Sequence, residues 1–208
     1  MAAETIIHTL RHAQSTYGAE QRYAGSVDVP LSDTGERDCL KAAESAARLH
    51  VDVVVTSAMT RAIDTARLLG FDPSRCVQTS LCNERRFGVL EGRTWHDVQS
   101  LDPPILFIEV GGERHSVNPA GGEPFEDVWQ RAKEFKDFVL GRYAGRSVLV
   151  VSHGVFLQMF HGTIRGSSCI ESLASYPSSL ELFTFRLADG RLLEESESRM
   201  LSAPGEGF

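Results

Sequence analysis

Short apolar runs that alternate with amphipathic segments constrain the fold of this chain more than any other feature. Three runs rich in β-branched residues have the length and composition of buried strands: residues 5–10, 51–56 and 147–152. The segments that follow carry apolar residues at helical spacing: residues 33–49, 59–69, 123–140 and 156–161. A chain that joins parallel strands must cross a face of the sheet. This order therefore predicts an α/β fold, a three-layer α/β/α sandwich with a mostly parallel central sheet.

The other segments fit one predicted domain that spans residues 1–208. Residues 180–194 alternate around Asp189-Gly190 and predict a terminal hairpin. Residues 93–122 are interrupted by pairs of prolines and glycines, so we expect them to be irregular. We interpret this stretch as a small cap-like insertion over a site, with a surface excursion as the alternative.

Composition excludes several classes of protein. The chain has 21 Lys and Arg against 28 Asp and Glu, a formal net charge of −7, which argues against nucleic acid or an anionic membrane as partner. Its four cysteines form no CxxC pair, so we expect reduced thiols rather than zinc or redox chemistry. We find neither a signal-peptide pattern nor a long apolar run, and we expect a cytoplasmic protein.

Polar residues follow each predicted strand at the point where it ends. Arg11 and His12 follow the first strand, Arg61 lies one turn into the helix after the second, and His153 follows the third. Ligands bind outside the carboxyl ends of such strands, so we expect these four side chains to meet. Arginine forks match phosphoryl oxygens, and the helix starts after His12, Ser57 and His153 are expected to direct backbone N–H groups at the same anion. The sequence predicts a phosphate site.

Two histidines in a phosphate site offer two chemistries. A protonated imidazole adds positive charge, and a neutral imidazole can attack phosphorus to form phosphohistidine. A displaced alkoxide also needs a proton. Glu84, in "LCNERRFGVLEG", is the candidate acid, and Glu91 competes with it.

Four motifs, in this order, resemble those of the histidine phosphatase superfamily, the phosphoglycerate-mutase-like group: "LRHAQST", "TSAMTRAIDTA", "LCNERRFGVLEG" and "VSHG". The resemblance implies that His12 is the nucleophile and that Arg11, Arg61 and His153 hold the phosphoryl oxygens. It also implies that Glu84 protonates the leaving oxygen and then takes a proton from water. The chemistry that the resemblance implies is two in-line displacements through phosphohistidine, with no metal and no cofactor.

Weaker matches extend the resemblance, among them "RYAGSVDVPLSDTGE" and "NPAGGEPFEDVWQR". From these segments and the motifs we expect further substrate contacts at Ser15, Tyr23, Gly25, Arg85 and Gly154.

Three positions depart from the family pattern. One of them, Pro124 in place of the serine after the Gly-Gly-Glu turn, is tolerable because proline fits the first turn of a helix. Ala13 stands where the family usually has glycine, which matters if that backbone needs a positive φ. Gly18 stands where many members have asparagine, so one phosphate contact is expected to be absent or supplied by Ser15.

The predicted function is a phosphomonoester hydrolase that acts on a small phosphorylated metabolite. A cofactor-dependent phosphomutase of the phosphoglycerate mutase type is the alternative, less favoured because the segment before the second histidine is short, with Arg93, Arg114 and His115 as its candidate anion ligands. A non-catalytic phosphoester-binding protein is a third option. A metal hydrolase that uses His8 and His12 is disfavoured because that segment is predicted to be a strand. An exposed sheet edge makes a homodimer an open possibility.

Overall fold

A computed structural model describes residues 4–117 and 119–201. The strands, in chain order, are β1 (Glu4–Arg11), β2 (Val53–Ser57), β3 (Val77–Thr79), β4 (Phe107–Val110), β5 (Glu113–Ser116), β6 (Ser147–Ser152), β7 (Glu181–Ala188) and β8 (Arg191–Arg199). The helices are α1 (Thr16–Ala19), α2 (Asp33–Ala47), α3 (Thr60–Leu68), α4 (Phe125–Arg142), α5 (Gly154–Arg165) and α6 (Cys169–Ser172). No helix in the described ranges is long and apolar enough to cross a membrane.

Six strands form the central sheet in the order β3-β2-β6-β1-β7-β8. The pairs β1–β6, β2–β6 and β2–β3 are parallel, and β7 and β8 add antiparallel pairs at one side. This confirms the predicted α/β fold. All six residues of β6 are buried, as a strand in the middle of a covered parallel sheet should be. Arg11 pairs with Ser152, so β1 and β6 end at the same edge.

Each face of the sheet is covered by a pair of helices. One core contains Ile7 of β1 together with Phe135 of α4 and Phe156 of α5. The other core contains Leu10 of β1 with Ala42 of α2 and Ala66 of α3. Side chains of a strand alternate between its faces, so Ile7 and Leu10 enter different cores. The result is the three-layer arrangement that the sequence predicted.

Residues 93–122 contain more regular structure than expected. Strands β4 and β5 pair as a hairpin, with Val110 opposite Glu113 and a two-residue turn at Gly111-Gly112. Both glycines have positive φ, 62° and 84°, the backbone that a tight hairpin turn requires. The expectation of an irregular segment was wrong because the glycine pair was interpreted as a break rather than as a turn between two four-residue strands.

The terminal hairpin of β7 and β8 leaves β8 at an edge of the sheet, with most of its residues exposed. Pairing through an edge of this kind is the basis on which a homodimer was considered. The homodimer stays a prediction.

Candidate active site

His12 lies immediately beyond β1, and its backbone N–H still donates to the carbonyl of Ser152 at 2.9 Å. Its Nδ1 lies 2.6 Å from the carbonyl oxygen of Ala13. A carbonyl can only accept a hydrogen bond, so Nδ1 carries the proton and Nε2 keeps its lone pair. The chain thus holds one tautomer of the ring at the carboxyl edge of the sheet.

The charge state of His12 follows from its surroundings. Burial is the main cause that holds its pKa well below the usual 6.5, and the nearby charges of Arg61 and Arg11 lower it further. The carbonyl of Ala13 acts in the opposite direction. His12 is therefore neutral near pH 7, the state in which an imidazole is a nucleophile.

Arg61, in the first turn of α3, is almost completely buried at 1% exposure. Its Nη1 donates to the carbonyl of Val27 and its Nη2 to that of Gly25, each at 2.9 Å. Its Nε donates to Nδ1 of His153 at 3.2 Å. Within the described ranges Arg61 forms no ion pair, so its buried charge lacks a fixed counter-ion, and a bound anion would supply one.

Arg11 is held in place by its two neighbours in one loop. Its Nη1 donates to the carbonyl of Pro177 at 2.9 Å, and its guanidinium lies 4.7 Å from the ring centroid of Tyr176. Its Nε is buried and has no hydrogen-bond partner in the part of the chain that is described. Neither arginine is neutralised by a carboxylate there, which gives the site two cationic groups.

His153 lies behind these groups. Its Nδ1 accepts from Arg61, so its Nε2 carries the proton and donates to Ser57 Oγ at 2.7 Å. Its ring meets that of His12 edge-on, with centroids 4.9 Å apart. Burial and the charge of Arg61 keep its pKa well below 6.5. Both nitrogens are thus engaged, and in this arrangement His153 orients Arg61 and packs against His12.

Glu84 belongs to the loop that follows β3, and its carboxylate lies against the N-terminal end of α5. The residue is 8% exposed. Its Oε1 accepts from the backbone N–H groups of Arg85 at 2.8 Å and Phe156 at 3.1 Å, and its Oε2 accepts from that of Val155 at 3.3 Å. The N-terminal end of a helix attracts a carboxylate, so α5 fixes the position of this group.

Glu91, the competing acid, has a different role. Its carboxylate accepts from the backbone N–H groups of Ser26 at 2.7 Å and Phe87 at 2.9 Å, and from the Ser26 hydroxyl at 2.9 Å. These bonds join two loops. Glu84 lines the large cavity described below, whereas Glu91 is not one of its lining residues. The geometry therefore favours Glu84 as the acid.

Several backbone N–H groups at the N-terminal ends of the helices already donate to side chains of the protein. Backbone N–H groups at the start of α5 bind Glu84. The N–H of Thr60, which begins α3, donates to Asp28 at 2.8 Å, and that of Gly18 in α1 donates to Ser15 Oγ at 3.1 Å. Side chains already cap these donors. For these donors the expectation is not met, because a sequence pattern does not reveal which distant carboxylate reaches the N-terminal end of a helix.

A cavity of about 800 Å³ opens beside His12. Eight of the predicted site residues line it: Arg11, His12, Ser15, Tyr23, Gly25, Arg61, Glu84 and Arg85. His153 and Gly154 do not. A Cβ on Gly154 would lie 2.2 Å from the hydroxyl of Tyr176, so this glycine is explained by close packing rather than by contact with a ligand.

The substrate-contact candidates differ in how they are held. Arg85, 1% exposed, donates from Nε to the carbonyl of Glu123 and from Nη1 to that of Ser116, and its guanidinium lies 3.8 Å from the centroid of Phe125. Burial lowers the pKa of Arg85 to about 10, so it remains charged. Tyr23 is half-buried, and its ring meets that of Phe87 edge-on with centroids 5.3 Å apart.

Sequence reasoning missed several residues that line the cavity, among them Trp95, Phe107, Glu113 and Tyr176. The first three lie in the segment interpreted as a cap, and an exposed tryptophan in such a polar stretch was a usable signal. Tyr176 follows α6 in a loop without a motif, so nothing in the sequence marked it.

Two of the departures from the family pattern, Ala13 and Gly18, are compatible with the local backbone. Ala13 is not among the described residues with positive φ, and it is fully buried, so alanine causes no backbone strain there. Gly18 also has no positive φ, and a Cβ on it would lie 3.4 Å from Ser15 Oγ, an ordinary contact. Ser15 lines the cavity, as a substitute contact would.

No group of three or more metal-ligating His, Cys, Asp or Glu side chains occurs in residues 4–117 and 119–201. His8, which a metal hydrolase would share with His12, lies in β1 with its Nδ1 2.8 Å from Thr184 Oγ1.

Comparison with known proteins gives a consistent result. The chain is 35% identical over 160 residues to a bifunctional protein of Mycobacterium tuberculosis, a match that covers 74% of this chain but only 43% of that relative's length. It is 30% identical over 168 residues to the 2,3-bisphosphoglycerate-dependent phosphoglycerate mutase of Tropheryma whipplei, covering 70% of this chain and 76% of that one.

Solved structures share the fold. A mycobacterial glucosyl-3-phosphoglycerate phosphatase superimposes with a TM-score of 0.75 at 20% identity, covering 94% of this chain and 98% of the other. The family model described as histidine phosphatase superfamily, branch 1, matches residues 7–189. The match spans β1 through β7 and includes the His12 site. The chain therefore belongs to the histidine phosphatase superfamily.

Proposed function

We propose that the protein hydrolyses phosphomonoesters of small metabolites through a phosphohistidine at His12. The observation that carries this proposal is the state of His12: a neutral ring, with its Nδ1 proton held by Ala13, that lines a cavity beside two arginines without carboxylate partners in the described structure. Such a ring is able to attack phosphorus, and the arginines are able to stabilise the phosphoryl group during transfer.

In the first step, His12 Nε2 attacks phosphorus in line with the ester oxygen. The N–P bond forms while the P–O bond breaks, and protonated Glu84 gives its proton to the departing oxygen, which leaves as an alcohol. In the second step, Glu84 takes a proton from a water molecule, whose oxygen attacks phosphorus. The N–P bond breaks, inorganic phosphate leaves, and Glu84 is protonated again.

The other residues of the site support these two steps. Arg11 and Arg61 bind the phosphoryl oxygens, since both line the cavity and neither is paired with a carboxylate in the described ranges. His153 contributes through Arg61, because its Nδ1 accepts a hydrogen bond from Arg61 Nε. Its ring also packs against the ring of the nucleophile. Ser15, Tyr23, Gly25 and Arg85 line the same cavity and are assigned to substrate contacts. Gly154 is assigned no contact.

The alternative is a phosphomutase. One observation favours it, the 30% sequence identity to the phosphoglycerate mutase of Tropheryma whipplei. The two activities share the phosphohistidine and differ in what receives the phosphoryl group. The short segment before His153 supports water as the acceptor. A purely binding function is disfavoured, because His12, Arg11, Arg61, Glu84 and His153 are all retained.

The test combines labelling with turnover. The protein is mixed with a phosphate-labelled monoester, quenched in alkali, and examined for an acid-labile phosphoryl group on His12. We expect labelling and phosphate release in the unaltered protein and in a His50→Ala control, whose side chain is 86% exposed, and neither in His12→Ala. Phosphate release that persists in His12→Ala contradicts the mechanism. Rapid isomerisation of 3-phosphoglycerate with a trace of 2,3-bisphosphoglycerate, without phosphate release, establishes the mutase instead.

A further inference from the structure

The charges that line the cavity favour a phosphoryl group and disfavour a cation. Four lining arginines have no carboxylate partner in the described ranges: Arg11, Arg61, Arg85 and Arg114. Two lining glutamates, Glu84 and Glu113, also lack an ion pair there. Two further charges are compensated locally, Arg22 by Glu20 and Asp38 by Lys41. Glu84 is protonated when the first chemical step begins, so the uncompensated balance is then 4 − 1 = +3, and a phosphate monoester carries about −2. An ammonium group on the leaving group would add to this excess of positive charge, whereas a neutral leaving group would not.

His115, in β5, is a further lining residue of this cavity, and one of its ring nitrogens is free, within the described ranges, to accept a hydrogen bond. The residue is 6% exposed and lines the cavity, and its Nε2 lies 3.1 Å from the carbonyl of Leu173. That carbonyl fixes the proton on Nε2, so Nδ1 keeps a lone pair, and Nδ1 has no partner in the described part of the chain. Burial is the main cause that lowers the pKa of His115, opposed by Leu173 and Glu113 and assisted by Arg85. The sequence suggested an anion ligand here, but a neutral acceptor repels an anion.

The ring is held rigidly. It meets Phe125 edge-on with centroids 5.9 Å apart, and the Leu173 carbonyl that orients it also accepts from Gln158 Nε2 at 2.9 Å. Arg85 fixes the neighbouring residue of β5 by donating to the carbonyl of Ser116 at 2.8 Å. Arg85 follows Glu84 directly in sequence, so the hairpin is tied to the segment that carries the acid. An acceptor fixed in this way selects for a donor on the leaving group.

We propose that His115 Nδ1 accepts a hydrogen bond from a hydroxyl group of a neutral leaving group, so that the preferred substrates are sugar or polyol phosphates. This inference rests on the phosphatase function proposed above and names its substrate class. Among common donors, an ammonium group would add a charge that the cavity does not balance, whereas a hydroxyl group is neutral. The cavity, at about 800 Å³, is large enough for a six-carbon polyol beside the phosphate.

The test uses two substrates with the same six-carbon chain, sorbitol 6-phosphate and n-hexyl phosphate, and follows the ratio of their kcat/KM values. The glutamine of His115→Gln reaches the Leu173 carbonyl in place of Nε2 but offers nothing at Nδ1. We expect it to lower the ratio by about tenfold, the effect of one lost hydrogen bond. The asparagine of His115→Asn places an oxygen near Nδ1 and loses the Leu173 bond. We expect it to keep most of the ratio while its Tm falls.

The same substitution at an exposed histidine, His50→Gln, is the matched control and should leave the ratio unchanged. The role of His115 is overturned if His115→Gln leaves the ratio of the two kcat/KM values unchanged. It is also overturned if that ratio decreases across the variants only in proportion to the loss of Tm. A higher kcat/KM for 3-phosphoglycerate than for sorbitol 6-phosphate overturns the neutral leaving group. If p-nitrophenyl phosphate and all three of these substrates release no phosphate, the proposed phosphatase function itself fails, and the inference fails with it.

Discussion

Two buried histidines, His12 and His161, differ in their surroundings more than in their charge state. The pKa of each is held well below 6.5 mainly by burial, so both are neutral near pH 7. Each also has one close hydrogen-bond partner next to or within β1: the carbonyl of Ala13 for His12 at 2.6 Å, and Thr9 Oγ1 for His161 at 2.7 Å.

The rings differ in what lies beyond that bond. His12 lines the cavity, near Arg11 and Arg61. His161, in α5, packs against Phe183 and Phe185 with centroids 4.6 and 5.0 Å away, and its Nδ1 is buried without a hydrogen-bond partner in the described residues. A lowered histidine pKa thus marks burial in both places. Access to a cavity and nearby cations distinguish the reactive ring from the core ring.

The largest expected effect separates the two rings by activity. His12→Ala should lower kcat/KM for p-nitrophenyl phosphate by at least about 10³-fold, because no other group is placed to form the covalent intermediate. Its free energy of unfolding should change by less than about 2 kcal/mol, since one hydrogen bond is lost beside an open cavity. Steady-state kinetics and urea denaturation on the same preparation check both values. Residual activity within tenfold of the unaltered protein would show that His12 is not the nucleophile.

The converse substitution should reverse the pattern. His161→Ala removes a ring enclosed by phenylalanines and leaves a cavity in the core, at an expected cost of about 2–4 kcal/mol in the free energy of unfolding. The kcat per folded molecule should remain within about twofold, because the ring does not reach the site. Urea denaturation and kinetics at low temperature measure the two. A loss of kcat that exceeds the loss of folded protein would make His161 part of the catalytic machinery.

The sequence separated these two histidines for a physical reason. His12 follows a buried run at the end of a parallel strand, where several segments converge, and the predicted ends of β1, β2 and β6 did bring Arg11, Arg61 and His12 together. His161 falls inside an apolar helical segment, which carried no signal of a site. Strand identity and strand ends are local properties of a pattern, and they were predicted well.

Side-chain partners across the fold were not predictable in the same way. Glu84 was named as the acid, but its anchorage at α5 depends on a helix start about seventy residues away in the chain. His153 was assigned to the phosphoryl oxygens, yet both of its nitrogens are taken up by Arg61 and Ser57. Such contacts depend on rotamers chosen during packing, which no spacing in the sequence records.

The pH dependence of stability sharpens the comparison. Below pH 6.5 the histidines of the unfolded chain gain protons, whereas His12, His153 and His161 resist protonation in the folded state. The unfolded state then binds more protons, so the free energy of unfolding is fully retained above pH 6.5 and falls as the pH decreases. Each such histidine contributes about 1 kcal/mol per pH unit.

The matched variant is His161→Leu, which removes one of these groups without leaving a large void. Its free energy of unfolding, measured in urea from pH 7.5 to 5, should fall below pH 6.5 with a slope smaller by about 1 kcal/mol per pH unit than that of the unaltered protein. An unchanged slope would mean that His161 is protonated in the folded state as readily as in the unfolded state. His12 and His161 would then no longer share a lowered pKa.

The smallest expected effect concerns the partner that fixes the tautomer of His12. Ala13→Gly keeps the carbonyl that accepts from Nδ1 and removes only a buried methyl group. Because Ala13 needs no positive φ, glycine offers no relief of strain, and it adds conformational freedom to the unfolded chain. We expect a loss of about 1 kcal/mol in the free energy of unfolding and a kcat within about twofold. A clear gain in kcat would show that the family's usual glycine gives the His12 loop a freedom that alanine restricts, and that tautomer control alone does not account for the reactivity of this ring.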